Sequence, residues 1–127
     1  MNKLAQKISD SELEVMRVLW SIKQAVTLAE IRKTLSTNSE WEDSTIKTLL
    51  RRLHCKGVLK QEKRDVYYYT PLVSEEEYEE YTTQILINKL FQGSAKNLVA
   101  SLVSSNMLSQ EDITELRKMF KVGDNNE

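Results

Sequence analysis

Along the first half of the chain, apolar positions recur every three or four residues in three separate runs, the spacing of helices with one buried face. The first run follows Ser9-Asp10-Ser11-Glu12. A serine and a glutamate three residues apart predict a capping box, and the helix it starts turns Leu13, Met16, Leu19 and Trp20 inward. The second run follows Thr27-Leu28-Ala29-Glu30, the same device, and buries Ile31 and Leu35 before the polar turn cluster Ser36-Thr37-Asn38-Ser39. The third is Ser44 to Gly57, reading STIKTLLRRLHCKG. At about 100° per residue, Ile46, Leu49, Leu50 and Leu53 share one stripe while Ser44, Lys47, Thr48 and Arg51 point away from it. Glu42 or Asp43 caps this helix; with Glu42 as cap, Trp41 and Ile46 occupy the positions of a hydrophobic staple.

The spacing changes after Gly57, a residue suited to end a helix. Val58 to Gln61 and Val66 to Thr70 are rich in strand formers and predict a hairpin whose turn lies near Lys63, Arg64 and Asp65, with Pro71 ending the second strand. Helical spacing then returns. Ser74-Glu75-Glu76-Glu77 is a further capping box, opening a helix with Tyr78, Tyr81, Ile85 and Leu86 that runs through Leu90. Gly93 and Ser94 break it. Two shorter helices follow, one with Leu98, Val99, Leu102 and Val103, the other capped by Ser109 with Ile113, Leu116, Met119 and Phe120. Small helices cannot bury such stripes alone, so they either fold back on the first half or pack against a second copy.

Three helices and then a hairpin is the order of a winged helix-turn-helix, which makes the fold class mainly α with a small β-hairpin wing. The outward face of the third helix suits duplex DNA: lysine and arginine neutralise phosphates, and Ser, Thr and Arg reach base edges. Read by itself, that face is equally a solvated basic surface. The net charge of −1 argues against nucleic acid until it is divided. Residues 1–73 hold 13 Lys or Arg against 9 Asp or Glu, whereas residues 74–127 hold 5 against 10. Within Lys47 to Arg64, on the third helix and the wing, Lys47, Arg51, Arg52, Lys56, Lys60, Lys63 and Arg64 are opposed only by Glu62. The acidic second half would repel phosphates and suits a protein partner.

Other chemistry is sparse. One cysteine, Cys55, excludes an internal disulfide, and with the single histidine, His54, it cannot complete a tetrahedral metal site without carboxylates, so neither metal nor cofactor is expected. No glycine-rich phosphate loop and no nucleophile paired with histidine appears, which reads as no enzyme. The first residues, MNKLAQKISD, lack the apolar run of a signal peptide and nothing spans a membrane, so a cytoplasmic protein is expected. Cys55 faces outward with Thr48 and Arg51 near Lys56 and Arg52, either an inert thiol or a redox-sensitive one. His54, at the edge of the buried stripe, reads as packing. Tyr67 to Tyr69 alternate across a strand, which needs no stacking on single-stranded bases.

The chain resembles the bacterial BlaI/MecI/CopY repressors in ISDSELEVMRVLW at Ile8 to Trp20, Trp41 before STIKTLLRRL, KGVL at Lys56 to Leu59, YYYTPLV at Tyr67 to Val73, and the tail INKLF…NLVASLV…LSQEDITELRK. The resemblance implies a cytoplasmic homodimer that represses β-lactam resistance or copper-export genes from a pseudo-palindromic operator in double-stranded DNA. It implies a winged domain over 1–73, a helical dimerisation region over 74–122 and a disordered tail over 123–127. DNA contacts fall on Ser44, Thr45, Lys47, Thr48, Arg51 and Arg52, with wing support from Lys63 and Arg64. The dimer surface falls on Tyr81, Ile85, Leu86, Leu90, Leu98, Leu102, Ile113, Leu116 and Phe120. The copper branch carries a C-terminal CxCxxxxCxC cluster that this sequence lacks. The resistance branch is cut by a sensor protease between Asn and Phe, where this chain has Ser101 and Leu102. Relief of repression is thus left to a protease of different preference, to another inducer, or to a native tail missing from this sequence. The competing function is a winged-helix protein-interaction module that does not read DNA sequence.

Overall fold

The computed structural model describes residues 8–35 and 41–125, with side chains up to Lys121. The element order is α1 (Asp10–Ser21), β1 (Val26–Thr27), α2 (Leu28–Leu35), α3 (Asp43–Cys55), β2 (Leu59–Lys63), β3 (Tyr67–Pro71), α4 (Glu75–Phe91), α5 (Ala95–Ser104) and α6 (Gln110–Asn125). Two compact units result, Met1–Thr83 and Gln84–Glu127. The first closes ten residues beyond the expected boundary at Val73, because the opening turns of α4 carry Tyr78 and Tyr81 onto the core of the winged unit.

The capping boxes form as their spacing requires. Ser9 Oγ accepts from the Glu12 N–H at 3.2 Å while Glu12 Oε1 accepts from the Ser9 N–H at 2.9 Å. Thr27 with Glu30 and Ser74 with Glu77 repeat the exchange at the starts of α2 and α4. Ser109 and Asp112 make it before α6, an aspartate in place of the usual glutamate. The α3 cap differs: Glu42 is the cap residue, and only its backbone carbonyl is used, accepting from Thr45 and Ile46. The turn cluster Ser36 to Ser39 lies outside the described residues.

Met16 and Leu19 from α1, Ile31 from α2, Ile46, Leu50 and Leu53 from α3, and Val58 and Leu59 beyond them are buried together in the core of the first unit. The inward stripes of α2 and α3 are those of the helical spacing; in α1 the buried face is rotated, with Val15 and Val18 buried beside Met16 and Leu19 and Leu13 only half-buried, while Trp20 and Trp41 pack at the core's edge. Gly57, at φ 79°, turns the chain from α3 into β2 in a conformation that costs glycine little.

The hairpin sits one or two residues later than its propensities suggest, pairing Leu59 with Pro71 through Lys63 with Tyr67. A third strand, β1, joins it: Val26 and Thr27 pair antiparallel with Tyr69 and Tyr68, giving the order β1-β3-β2. The two-residue strand was hidden in the sequence because Thr27 already reads as a helix cap.

In the second unit α5 has no buried residue, and α6 has none among its described side chains. Ser94 caps α5 through the Asn97 N–H. The last helix continues through Gly123 to Asn125, so the disorder expected from residue 123 is corrected to helix as far as the described residues extend.

Candidate nucleic-acid interface

Burial of Ile46, Leu49, Leu50 and Leu53 fixes the rotation of α3, and with it the face left outside. Ser44, Thr45, Lys47, Arg51 and Arg52 are exposed, and Thr48 is half-buried with its hydroxyl donating to the Ser44 carbonyl at 2.9 Å. That bond uses the Thr48 hydroxyl as donor and leaves its oxygen lone pairs free to accept. Among the described residues no carboxylate pairs with Lys47, Arg51 or Arg52. Their charge is therefore available to an external anion.

The wing lies beside this face. Lys47 from α3, Arg32 from α2, and Lys63, Asp65 and Tyr67 from the hairpin line one cleft of about 460 Å³. Helix and wing thus present cations to a common concave surface, the arrangement needed for one element to enter a groove while the other lies along a backbone. Arg32 is already held by Asp43 at 2.7 Å, a bond that ties the end of α2 to the start of α3.

The cations at the wing tip are braced by tyrosines. Lys63 Nζ lies 4.9 Å from the centre of the Tyr67 ring, and the Arg64 guanidinium 4.5 Å from that of Tyr68. Arg64 also pairs with Glu62 at 3.1 Å. Tyr69 is buried, whereas Tyr67 and Tyr68 each lie against one of the cations, a use that strand alternation alone did not reveal.

Three sequence readings change here. Lys56, counted with the basic surface, bonds to the carboxylate of the buried Glu12. His54, read as packing, is exposed. Tyr81, placed on the dimer surface, is packed against the core of the first unit, because it lies one turn beyond Tyr78, whose ring meets Trp20 at 5.6 Å.

Of the other residues assigned to the dimer surface, Leu86, Leu90 and Phe120 are exposed, Phe120 by 70%. Ile85, Leu98, Leu102, Ile113 and Leu116 are half-buried. Ser101 and Leu102 are inside α5, where the Ser101 carbonyl accepts from the Ser105 N–H and the Ser104 hydroxyl. Cys55 is an exposed free thiol. Among the described residues no cluster of His, Cys, Asp or Glu suits a metal ion, and no helix is long and apolar enough to cross a membrane.

Comparison with known proteins agrees with this architecture. The family described as "Penicillinase repressor" matches residues 8–121. The penicillinase repressor of Bacillus licheniformis is 37% identical over 122 residues, covering 95% of this chain and 94% of that protein. The methicillin resistance regulatory protein MecI of Staphylococcus aureus strain N315 is 32% identical over 121 residues, covering 94% and 98%. Among solved structures, the DNA-binding domain of the repressor BlaI superposes with a TM-score of 0.53 at 44% identity, covering 61% of this chain and 94% of that one. The chain belongs to the penicillinase repressor family, a family of transcriptional repressors and not of enzymes.

Proposed function

We propose that the chain binds a pseudo-palindromic operator in double-stranded DNA as a homodimer and represses resistance or metal-homeostasis genes. The observation that carries this reading is that Lys47, Arg51 and Arg52 are exposed on α3 with no carboxylate partner among the described residues, while Lys47 shares a cleft with Lys63 of the wing. In the proposed complex, α3 enters the major groove with Thr48 and Arg51 toward base edges. Ser44, Thr45, Lys47 and Arg52 hold the flanking phosphates, and Lys63 and Arg64 reach the backbone beside it.

Dimerisation is assigned to the second unit. Leu90, Val99, Val103, Met119 and Phe120 leave large apolar surface exposed on three helices, and a second copy of the same surface buries it while pairing two recognition helices. The arm carries the negative charge, which keeps it off the duplex.

The names of the relatives favour β-lactam resistance among the regulated genes; copper export is the other assignment, for which the sequence has a single cysteine in place of a thiolate cluster. A sensor protease or another inducer lifts the repressor. For a protease acting at Ser101-Leu102, α5 must first unwind, because proteases bind extended backbone and this one is helical. A cytoplasmic location follows from the need to reach DNA.

Salt titration of duplex binding is the test. If six or so phosphates are contacted, log K should fall against log salt with a slope of about −5. A slope near zero on random duplex, with no preference for any selected sequence, would leave a protein-interaction module in its place.

A further inference from the structure

Glu12 is the one buried charged residue among those described, with 1% of its surface exposed. Its carboxylate accepts from the Ser9 N–H at the start of α1 and from Lys56 Nζ, 44 positions along the chain. Lys56 is the C-terminal cap of α3, its backbone N–H bonding to the Arg52 and His54 carbonyls. Gly57 and Val58 follow at once, with the Val58 N–H on Leu53 and the Val58 carbonyl accepting from Leu72 beside the sheet. The bridge therefore fastens the first turn of α1 to the joint at which the recognition helix becomes the wing.

Burying an ion pair is a poor source of stability, because desolvation offsets much of the attraction; its better-attested effect is to fix one geometry. An apolar pair in the same place would tolerate small rotations of the joint, whereas a carboxylate already held by the Ser9 N–H accepts the ammonium from a narrow range of directions.

We infer that Glu12 and Lys56 are a positioning pair for DNA recognition: bonding the start of α1 to the α3–wing joint, they set the register of helix and wing on the duplex and so its sequence discrimination. The inference rests on the proposed DNA-binding function. Neither residue is assigned a contact with DNA, and the effect passes through Arg51 and Thr48 on one side of the joint and Lys63 on the other.

The test compares affinities of the full-length protein for two duplexes of equal length, one selected by the wild type from a random pool and one of random sequence. Loss of a cation at position 56 lowers both affinities together, since phosphates are common to both; loss of register lowers their ratio. The E12Q/K56M variant keeps an N-cap acceptor at position 12 and leaves no buried charge, and its ratio should fall about tenfold or more while its Tm stays near that of the wild type. E12Q alone retains both the cap and Lys56, weakens only the charge-assisted bond, and should lower the ratio about fivefold. A ratio within about twofold of wild type in either folded variant overturns the positioning role and leaves the DNA-binding reading intact. A wild type that selects no sequence from the pool overturns both.

Discussion

Arg51 and Thr48 lie three positions apart on the outward face of α3, close enough to address neighbouring bases, and neither bonds to a carboxylate among the described residues. Arg51→Ala and Thr48→Ala should each cost about 1–3 kcal/mol on a selected duplex and little on random DNA. Lys63→Ala should instead weaken all duplexes alike and reduce the salt slope by about 1, because the contact proposed for this wing cation is with phosphate. Equal losses on both duplexes for all three variants would contradict this division of roles. These side chains were readable in advance because helical spacing alone separates the outward from the inward face. Glu12 was not. Its capping partner is three residues away, but Lys56 reaches it only through the packing of α3 on α1, and no local pattern encodes that pairing. Burial alone would raise the Glu12 carboxyl, yet the Lys56 bond, the Ser9 N–H and the lysine charge together hold it below its ordinary value of 4.5. A carboxyl depressed in the folded state stabilises the fold above its unfolded value and loses that contribution as pH falls through the folded one. Thermal melts should therefore show wild type losing stability below pH 4.5 more steeply than Glu12→Gln, and parallel curves would contradict the assignment.

Among the elements, α4 depends most visibly on a short sequence signal. Ser74 Oγ accepts from the Glu77 N–H and Glu77 Oε1 from the Ser74 N–H, both at 3.0 Å, and the turns they start carry Tyr78 and Tyr81 onto the first core. Ser74→Ala should cost about 1 kcal/mol. The loss should appear as a Tm lower by about 3–6 °C and faster hydrogen exchange in the first turn of α4. Unchanged exchange there would show that tertiary packing, and not the cap, holds the turn. Helix starts were legible because a capping box is a local contract between two residues. Strand limits were less so: β2 and β3 are shifted from the best strand-forming residues, since the register is set by the turn at Arg64 to Val66 and by burial of Leu59 and Tyr69. The β1 strand, two residues long, exists only because β3 offers it an edge.

At the level of the whole chain, composition alone would mislead, for a net charge of −1 conceals a basic reading half and an acidic arm. That charge split was legible in the sequence, while the place where the first unit ends was not, because Tyr78 and Tyr81 belong to a helix that continues into the second unit. The proposed homodimer, resting on exposed Leu90 and Phe120, makes a demand on the DNA: two recognition helices related by a dyad must meet the same face of the duplex at half-sites a helical turn, or a multiple of it, apart. Hydroxyl-radical footprinting of the full-length protein on a duplex it has itself selected tests this most directly. Two protected patches of equal extent, related by a two-fold axis and centred about 10 bp or a multiple apart, are the expected result. A single asymmetric patch, or protection independent of sequence, would contradict a paired reader built on α3 and the wing.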